Sequence, residues 1–570
     1  MTGHMLHVPE LLGMEIPSSG CLSSLSEMQL SATQLLAHAL LCTGYFLNVF
    51  ASSVPSGIVD VGYAKYLGNI SFPNTAAYLG IPYAEPPLGE QRFRNAAPLN
   101  TTRVREETGD AIVNATQYPE FCIQGTTGAG DAGGAGSEDC LKVNIYAPTG
   151  AKQGDNLPVL VYIHGGGYVY GNPANWPFDH WVHQSPNVVI VSVYYRLDSF
   201  GFLSHPAFQN DSSLGDLNAG FNDQTQALKW IKQYIGAFGG NPSKVTINGQ
   251  SAGASSVELH LVAKGNEQLF SGAIAQSVFR TPVPSPAVQE PLFNFYAAHV
   301  GCESGSLAAQ LACLRNASVS ALARAQDAAS YNFTGAYNAF HPVLDGKILT
   351  EFPTISILDG NYHDVPLIVG STTNETLANG DTITSALKTY FPALTQADLN
   401  EFLEQYPAQD FASETLRLQI ATGEPSVRCA RSIMGKSAAK LSQAFTYRYN
   451  TPNPTSNSTL VAHSAENWMM FLGTNTGFNG TTTFTPMTPS EDAFAAELIA
   501  YWLSFVQSGN PNTFKLSHSP VWPEYSAGSF NRIVLQEGSA TASGSWTEEE
   551  PQSESERCEF AASKVEHEQD

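Results

Sequence analysis

The sequence is poor in positive charge. Only 27 lysine and arginine residues stand against 51 aspartate and glutamate residues, and the formal net charge at pH 7 is −24. A surface with this charge repels the phosphate backbone of nucleic acids and the headgroups of anionic lipids. We therefore expect no nucleic-acid partner, and the balance is more consistent with a protein that acts on a neutral small molecule.

Charged residues of both signs are also few, at 14% of the 570 residues, and no internal repeat or long linker divides the middle of the chain. The 43% hydrophobic content indicates a folded protein with a large core. We predict one large domain over residues 52–560. The acidic C-terminal tail, 538–570, is expected to be partly solvated and held down only if Cys558 is bridged. No feature of the sequence predicts an oligomeric state.

Positive charge is absent before Lys65, where a secretory leader would normally carry it. The run Leu35–Ala51 is nonetheless charge-free and mostly apolar, and its last residues suit signal peptidase. We predict a leader over 1–51, in which the residues before Met28 are a gene-model extension. The alternative is an uncleaved anchor, but the run is short for a membrane span, so no stable membrane insertion is expected.

Sequons for N-glycosylation favour secretion independently of the leader. They lie at Asn69, Asn100, Asn114, Asn210, Asn316, Asn332, Asn374, Asn457 and Asn479. One such sequon is common in any chain, whereas nine are suggestive of an extracellular glycoprotein.

The cysteines point to the same compartment. Six remain after the leader is removed, and an even number suits disulfide bonding in an oxidising environment. Their order is Cys122, Cys140, Cys302, Cys313, Cys429 and Cys558. The first two pairs are close enough in sequence to close small loops, which leaves the last two as a third pair. No CxxC or histidine-rich spacing indicates a metal site, so none is expected.

Apolar, β-rich runs recur at Leu157–Ile163, Val188–Tyr195, Lys244–Asn248, Pro366–Gly370, Phe445–Tyr449 and Ile533–Gln536. Most are continuous rather than alternating, which is typical of strands buried on both faces. Helical patterns lie between them, over Asp223–Gly240 and from a Ser490 cap to a stop at Gly509 and Pro511. This alternation predicts an α/β fold whose large, mostly parallel central sheet carries helices on both faces.

The stretch "VTINGQSAGASS", residues 245–256, contains Gly-x-Ser-x-Gly between a strand-like run and small, helix-compatible residues. This is the pattern of a nucleophile elbow, in which Ser251 sits at a tight strand-to-helix bend with its hydroxyl exposed. Gly249 and Gly253 permit close backbone approach and unusual φ angles there. Ordinary glycine and serine usage gives such a match by chance in roughly one chain in five of this length. The motif alone is therefore weak.

A second motif strengthens the first. His164-Gly165-Gly166-Gly167 follows a buried strand upstream of Ser251, where an oxyanion-hole loop belongs. Consecutive glycines let backbone amides turn toward a ligand without obstruction by side chains. A glycine-rich structural turn is the alternative, but the two motifs in this order, each behind a strand, favour a catalytic site.

A nucleophilic serine needs a base and an acid. In α/β proteins with a nucleophile elbow of this kind, the acid precedes the histidine in the chain. His463 follows the predicted strand Phe445–Tyr449 after a Pro/Asn-rich loop. A loop histidine there can reach the carboxyl edge of the sheet, so His463 is the predicted base. Glu375 directly follows another buried strand and is the predicted acid, whereas Asp345 in "PVLDG" indicates a turn. The remaining histidines considered are His341, His363, His518 and His567, and we expect the last two at the surface.

Several stretches together closely resemble the type-B carboxylesterase/lipase family, and its extracellular fungal members most of all. They are "GIPYAEPPLGEQRF" (80–93), "SEDCLKVNIYAP" (137–148), "HGGGY" (164–168), "YRLDSFGFL" (195–203), "FGGNPSKVTINGQSAGASSV" (238–257) and "HSAENW" (463–468). The resemblance runs from about Gly57 to Cys558. It implies an α/β-hydrolase fold with Ser251 as nucleophile, His463 as base and Glu375 as acid.

The same resemblance assigns further roles. The oxyanion donors would be the backbone amides of Gly166, Gly167 and Ala252. Arg92 and Glu138 match a structural ion pair of the family, and the three cysteine pairs match its disulfides.

Two positions next to the triad stand out. The family usually has Glu before the nucleophile, where this sequence has Gln250, which can replace the hydrogen bonds of a carboxylate but not its charge. Because the triad itself is intact, we expect activity to survive. Asn374 is a sequon directly before the predicted acid, and because a glycan there is incompatible with burial, we expect it to be unoccupied.

The predicted reaction is the hydrolysis of esters in two steps through an acyl-enzyme, and it needs no cofactor. The loop between Cys122 and Cys140 narrows the substrate class. Its seventeen residues include six glycines and no aromatic side chain on which a quaternary ammonium could sit, which disfavours a cholinesterase. Ile123 is its only large apolar residue, so an amphipathic lipase lid is also disfavoured. We therefore predict an open-mouthed esterase for short-to-medium acyl chains.

Two alternatives remain open. The first is an enzyme for bulky lipid esters such as sterol esters. The second is a binding module of the kind that the family includes among members that have lost the serine, although Ser251, Glu375 and His463 are all present here.

Overall fold

The computed structural model describes residues 57–125, 136–333, 339–375, 380–476, 482–526 and 528–570. The predicted leader over 1–51 lies outside these residues. The described strands are β1 (Ile58–Asp60), β2 (Lys65–Gly68), β3 (Thr75–Pro82), β4 (Ile112–Ala115), β5 (Lys142–Pro148), β6 (Leu157–Ile163), β7 (Val189–Val193), β8 (Gly240–Gln250), β9 (Gly272–Gln276), β10 (Leu367–Thr372), β11 (Ala444–Tyr449), β12 (Thr474–Thr476), β13 (Thr482–Phe484), β14 (Asn531–Leu535) and β15 (Trp546–Glu549).

Ten of these strands form one sheet, in the order β15-β14-β11-β10-β9-β8-β6-β7-β5-β3. The seven strands from β14 to β7 are parallel to one another. Antiparallel strands lie at both edges, β15 on one side and β5 with β3 on the other. The large, mostly parallel sheet that the sequence predicts is thus confirmed, and every predicted strand belongs to it.

Helices connect the strands. They are α1 (Thr101–Thr108), α2 (Asp179–Gln184), α3 (Asp198–Phe202), α4 (Ala219–Tyr234), α5 (Ala252–Val262), α6 (Glu290–Val300), α7 (Leu307–Asn316), α8 (Val319–Asn332), α9 (Pro353–Leu358), α10 (Ile383–Tyr390), α11 (Gln396–Gln405), α12 (Glu414–Gly423), α13 (Cys429–Leu441), α14 (Ala465–Met470), α15 (Pro489–Ser508), α16 (Gln552–Ala562) and α17 (Val565–Glu568). Within the described ranges, none combines the length and the apolar character that crossing a membrane requires.

The sheet separates two hydrophobic layers, and β6 shows how. Val159 and Val161 pack into one layer, whereas Leu160 and Tyr162 point into the other. Because both faces are buried, every position of the strand is apolar, which explains its continuous hydrophobic run. Helix α5 packs into the first layer and α15 into the second.

The start of α15 differs from the prediction. The N-cap is Thr488 rather than Ser490: the Thr488 side chain accepts a hydrogen bond from the Glu491 amide, and Glu491 accepts one from the Thr488 amide. This reciprocal capping box needs Thr and Glu three residues apart, and Pro489 at the first helical position lacks the amide that would otherwise be unpaired. The helix ends at Gly509, as predicted, with φ of 74°.

Cys558 of the acidic tail is bridged, which is the condition under which the tail was expected to be held down. The tail folds into β15, α16 and α17, and its side chains Glu554, Glu568 and Asp570 are buried rather than solvated. Glu568 and Asp570 both pair with the fully buried Arg280, at 3.1 and 2.8 Å. Composition indicated solvation because the cationic partners lie far away in sequence.

The disulfides are those that the cysteine order indicated. Cys122 is bonded to Cys140, Cys302 to Cys313, and Cys429 to Cys558. The last of these ties α13 to the tail helix α16.

The structural ion pair is present as well. The Arg92 guanidinium donates two parallel hydrogen bonds to Glu138, of 2.6 and 2.7 Å, and two more to the carbonyls of Arg315 and Ala317. This side chain therefore fastens the Cys122–Cys140 loop to the end of α7.

Candidate active site

Ser251 occupies a strand-to-helix elbow. Strand β8 ends at Gln250 and helix α5 begins at Ala252, so the serine is the single residue between them, with φ of 60° and ψ of −128°. A non-glycine residue at such a φ is strained, and strain of this kind is typical of functional sites. The residue with the unusual φ that the motif predicts is therefore Ser251 itself. Gly249 and Gly253 instead allow neighbouring backbone segments to pack closely.

Close packing joins the elbow to the glycine-rich loop. A Cβ added to Gly253 would lie 2.9 Å from the backbone of His164, and one added to Gly165 would lie 2.9 Å from the Cβ of Ser251. No real side chain tolerates such distances, so both positions require glycine. The "HGGG" segment is thereby held against the nucleophile.

The predicted oxyanion donors lie around this contact. Gly166 and Gly167 have φ of 114° and 62°, in the region that glycine favours. Ala252 is the first residue of α5, and amides of the first helical turn have no acceptor within the helix. The positive end of the helix dipole is directed at the same place, which suits a developing negative charge.

The structure brings Ser251, His463 and Glu375 together in a hydrogen-bonded chain. His463 Nε2 lies 2.7 Å from Ser251 Oγ, and His463 Nδ1 lies 2.6 Å from Glu375 Oε2. Ser251 directly follows the end of β8 and Glu375 comes three residues after the end of β10, whereas His463 stands at the end of a longer loop that leaves β11, and all three meet at the carboxyl edge of the parallel sheet. Glu375 is fully buried, and the His463 side chain is 13% exposed.

Two further groups hold the carboxylate of Glu375. Ser277 Oγ and the Thr372 amide both donate to Glu375 Oε1, each at 2.6 Å. Ser277 directly follows β9, and its φ is 55°. Ser277 was not among the predicted site residues, although a serine at the end of a buried strand of the same sheet was the available signal.

Electrostatics favour a charged Glu375 and a basic His463. Burial alone would raise the pKa of Glu375, but the charge and hydrogen bond of His463, with the donors Ser277 and Thr372, outweigh it and lower that pKa. Burial alone would lower the pKa of His463, but Glu375 and the more distant Glu466 outweigh it and raise that pKa. A histidine more basic than usual is a better proton acceptor for a serine hydroxyl.

Glu466 is a second buried carboxyl beside this chain, and the sequence analysis did not assign it a role. It lies in the first turn of α14, three residues after His463, and is only 2% exposed. Neither of its carboxylate oxygens makes a hydrogen bond of ordinary geometry among the described residues, although its own backbone amide and the Gln276 side chain lie close enough to lower its pKa in part. Burial, helped by the charge of Glu375, raises its pKa to about 7.

Glu466→Gln should therefore shift the pH dependence of the site. Above about pH 7 the ionised Glu466 helps to raise the pKa of His463. Because the glutamine of the variant is neutral, the acidic limb of its kcat/KM profile should lie at lower pH.

The same substitution should change the pH dependence of stability. A carboxyl whose pKa is raised on folding contributes stability below pH 4.5 that is lost as pH rises through about 7. The melting temperature of wild type should consequently fall, relative to the variant, between pH 5 and pH 8.

A matched control is Glu497→Gln, which removes another buried carboxylate. Glu497 accepts hydrogen bonds from Ser519, Ser543 and Ser545, away from His463. Its replacement should leave the kinetic acidic limb in place. Coincident pH profiles for wild type and Glu466→Gln would contradict the assignment.

Gln250 takes part in the polar surroundings of His463. Its Nε2 lies 3.4 Å from His463 Nε2, and its Oε1 accepts a 3.3 Å hydrogen bond from Asn467. The Gln250 amide thus contacts His463 and Asn467 without adding a third buried carboxylate to Glu375 and Glu466.

The other candidate residues lie in different surroundings. Asp345 Oδ1 accepts hydrogen bonds from three successive backbone amides, which is the turn that "PVLDG" predicts. His341 is buried against Gln289, and His363 lies 3.3 Å from the Phe270 carbonyl oxygen. His518 and His567 are 39% and 47% exposed in their side chains, as expected.

No group of three or more His, Cys, Asp or Glu residues arranged to hold a metal ion occurs in the part of the chain that the structure describes.

Comparison with known proteins agrees with this geometry. The model of the carboxylesterase family matches residues 56–561. Lipase 5 of Diutina rugosa is 32% identical over 72% of this chain and 80% of its own length, and Secreted lipase 1 of Botryotinia fuckeliana is 30% identical over 79% and 84%. The crystal structure of Aspergillus niger EstA superposes with a TM-score of 0.78 at 29% identity, covering 90% of this chain and 99% of that one.

The family match and the EstA superposition confirm the α/β-hydrolase fold that the sequence motifs predicted. The family model covers nearly all of the described chain, including both edges of the sheet and every residue of the site. The chain therefore belongs to the carboxylesterase family and is an ester hydrolase of that family.

Proposed function

We propose that the protein hydrolyses carboxylic esters through a Ser251–His463–Glu375 triad and a covalent acyl-enzyme. The observation that carries the proposal is the continuous hydrogen-bond chain from Ser251 Oγ through the imidazole to the buried carboxylate, with distances of 2.7 and 2.6 Å. Nucleophile, base and orienting acid at such distances are the signature of activated-serine catalysis.

The first half-reaction forms the acyl-enzyme. Ser251 Oγ attacks the ester carbonyl carbon while His463 Nε2 takes the hydroxyl proton. The amides of Gly166, Gly167 and Ala252 donate to the resulting oxyanion, and removal of one such donor typically costs about 2.7–4 kcal/mol of transition-state stabilisation. The alcohol then leaves as His463 returns the proton to its oxygen.

The second half-reaction releases the acid. A water molecule gives a proton to His463 and attacks the acyl carbon, and Ser251 leaves with that proton. Throughout, Glu375 accepts the Nδ1–H hydrogen bond, which keeps Nε2 free to accept a proton and stabilises the imidazolium. Ser277 and the Thr372 amide keep the carboxylate in place.

For the substrate we favour neutral esters with short-to-medium acyl chains. The net charge of −24 disfavours anionic ligands. The loop between Cys122 and Cys140 lacks aromatic residues and an amphipathic pattern, which argues against a cationic substrate and against a lid. Residues 126–135 of that loop lie outside the described residues, so this part of the proposal rests on composition.

The proposal predicts a fluorophosphonate-reactive serine and a short-chain preference. A fluorophosphonate should add to the protein once, and peptide mass spectrometry should place the adduct on Ser251. Rates with p-nitrophenyl esters from acetyl to palmitoyl should be highest for the short chains. An adduct on another serine would refute the nucleophile. Activity that rises sharply above the solubility limit of a triglyceride would instead indicate interfacial activation.

Hydrolysis of bulky lipid esters is the second candidate. The names of the two fungal relatives, Lipase 5 and Secreted lipase 1, favour it. A rate maximum at palmitoyl in the same ester series would support it and leave the triad proposal standing.

We also propose that the protein acts outside the cell. Three disulfides and the name of the Botryotinia relative support this, and six of the predicted sequon asparagines have exposed side chains. These are Asn100, Asn114, Asn210, Asn316, Asn332 and Asn457. The predicted sequon at Asn479 lies outside the described residues.

A further inference from the structure

We propose that Asn374 is a positioning residue that clamps the loop carrying Glu375 to the loop carrying His463. The inference deepens the proposed function and rests on it, because it concerns how the acid and the base are held together. Asn374 acts through the backbone of the histidine loop and does not touch the reacting atoms.

The two loops differ in how strongly the sheet restrains them. Glu375 comes three residues after the end of β10. His463, in contrast, stands at the end of a thirteen-residue segment, 450–462, that leaves β11 and is exposed over 454–459. A segment of this length does not by itself deliver a side chain to within hydrogen-bonding distance of a fixed partner. The buried helix α14, which begins at Ala465, anchors the chain after His463, and contacts close to the site must hold the chain before it.

Asn374 supplies that restraint through two hydrogen bonds to one residue. Its backbone amide donates to the Val461 carbonyl at 3.1 Å, and its side-chain Oδ1 accepts from the Val461 amide at 2.9 Å. Glu375 directly follows Asn374 in the first loop, and His463 comes two residues after Val461 in the second. The 2.6 Å hydrogen bond between Glu375 and His463 therefore closes a small ring whose opposite side is the Asn374–Val461 pair.

Asparagine suits the position for chemical reasons. Val461 is only 5% exposed, so its amide needs a partner within the protein. A short side chain with a carbonyl-type acceptor meets that need, and aspartate would meet it equally. Alanine has no such acceptor and would leave the buried Val461 amide unpaired.

The test compares four variants. Asn374→Ala and the nearly isosteric Asn374→Leu both remove the acceptor, and each should lower kcat about 10- to 100-fold with KM changed less than about threefold, since misplacement of a catalytic group by about 1 Å has effects of this size. Asn374→Asp keeps the acceptor and should restore kcat to within about threefold of wild type. Thr373→Ala is the matched control, because the partners of Thr373 Oγ1 among the described residues are Tyr449, Asn450 and Arg448 at the end of β11.

A pH profile separates positioning from a general loss of stability. Glu375 and Glu466 are the charged groups that face His463, and Glu375 raises the pKa of the imidazole. If the clamp is lost, the imidazole separates from Glu375 and the acidic limb of kcat/KM should move to lower pH. The shift should appear in the alanine and leucine variants and not in Asn374→Asp or Thr373→Ala. Leucine preserves the volume of the side chain, so it reports on the acceptor even if the alanine variant does not fold.

Each result bears on a different claim. Wild-type kcat and pH profile in folded Asn374→Leu, with Ser251 still labelled by the fluorophosphonate, would overturn the clamp and leave the proposed function intact. Failure of wild type to react with the fluorophosphonate would instead refute the proposed function.

Discussion

Ser251→Ala should lower kcat for p-nitrophenyl butyrate by roughly 10⁵- to 10⁶-fold, the effect seen when the nucleophile of a serine hydrolase is removed. Among the described side chains, the Ser251 hydroxyl is the only oxygen that hydrogen-bonds to His463 Nε2, at 2.7 Å. Without it, His463 has no attacking group to deprotonate except water, and no acyl-enzyme forms. Stopped-flow release of p-nitrophenol should show no burst in the variant.

Ser256→Ala is the matched control for this experiment. Ser256 lies in α5, the helix that Ser251 precedes, and it is also buried, but its hydroxyl is within hydrogen-bonding distance of Gln224 and Tyr168. Its replacement should leave kcat within about threefold of wild type. Comparable rates in Ser251→Ala and wild type would refute the nucleophile assignment, while a large loss in both variants would indicate damage to the helix.

Glu375→Gln should lower kcat about 10⁴-fold, as amide replacement of the acid does in other triads. The reason lies in the donors around the carboxylate. Ser277 and the Thr372 amide both direct hydrogens at Oε1, so the oxygen of a glutamine would occupy that position and its NH₂ would face His463. That NH₂ donates to Nδ1 and forces the imidazole proton onto Nε2, where it blocks acceptance of the serine proton.

Glu466→Gln provides the comparison, because it removes a buried carboxyl from the same surroundings without changing the tautomer of His463. Its kcat should stay at least 100-fold above that of Glu375→Gln. An equal loss in the two variants would mean that negative charge near the imidazole, rather than the hydrogen bond to Nδ1, is what the site requires. A kcat for Glu375→Gln close to wild type would refute Glu375 as the acid.

The parts of the site that lie on contiguous motifs were predictable. The elbow around Ser251 and the glycines at 165–167 are local patterns, because a strand, a tight bend and a helix follow one another within a few residues. The acid was predictable for a different reason: it comes shortly after a buried strand, and parallel strands present their carboxyl ends at one edge. The base was predictable from chain order, because it lies beyond the acid in a loop that leaves the next strand of the same sheet. A wrong cap, Ser490 in place of Thr488, shows how little distinguishes neighbouring hydroxyl residues in sequence.

The supporting residues were not predictable in this way. Ser277, Glu466 and Asn374 are ordinary polar residues in sequence, and their importance comes from partners more than 80 residues away or across a loop. A carboxyl with a pKa of about 7 is created by burial and by the charge of Glu375, neither of which appears in the sequence around Glu466.

The sequence by itself determined the α/β class, the buried parallel strands, the nucleophile elbow and the cysteine pairs, because these follow from local periodicity, glycine positions and spacing. Tertiary structure alone decided the register that brings three strand ends to hydrogen-bonding distance, the clamp between Asn374 and Val461, and the burial of the acidic tail against Arg280. The physical reason is that hydrogen bonds and charge pairs act over a few ångströms in space, and the residues that form them are separated by up to 322 positions in the chain.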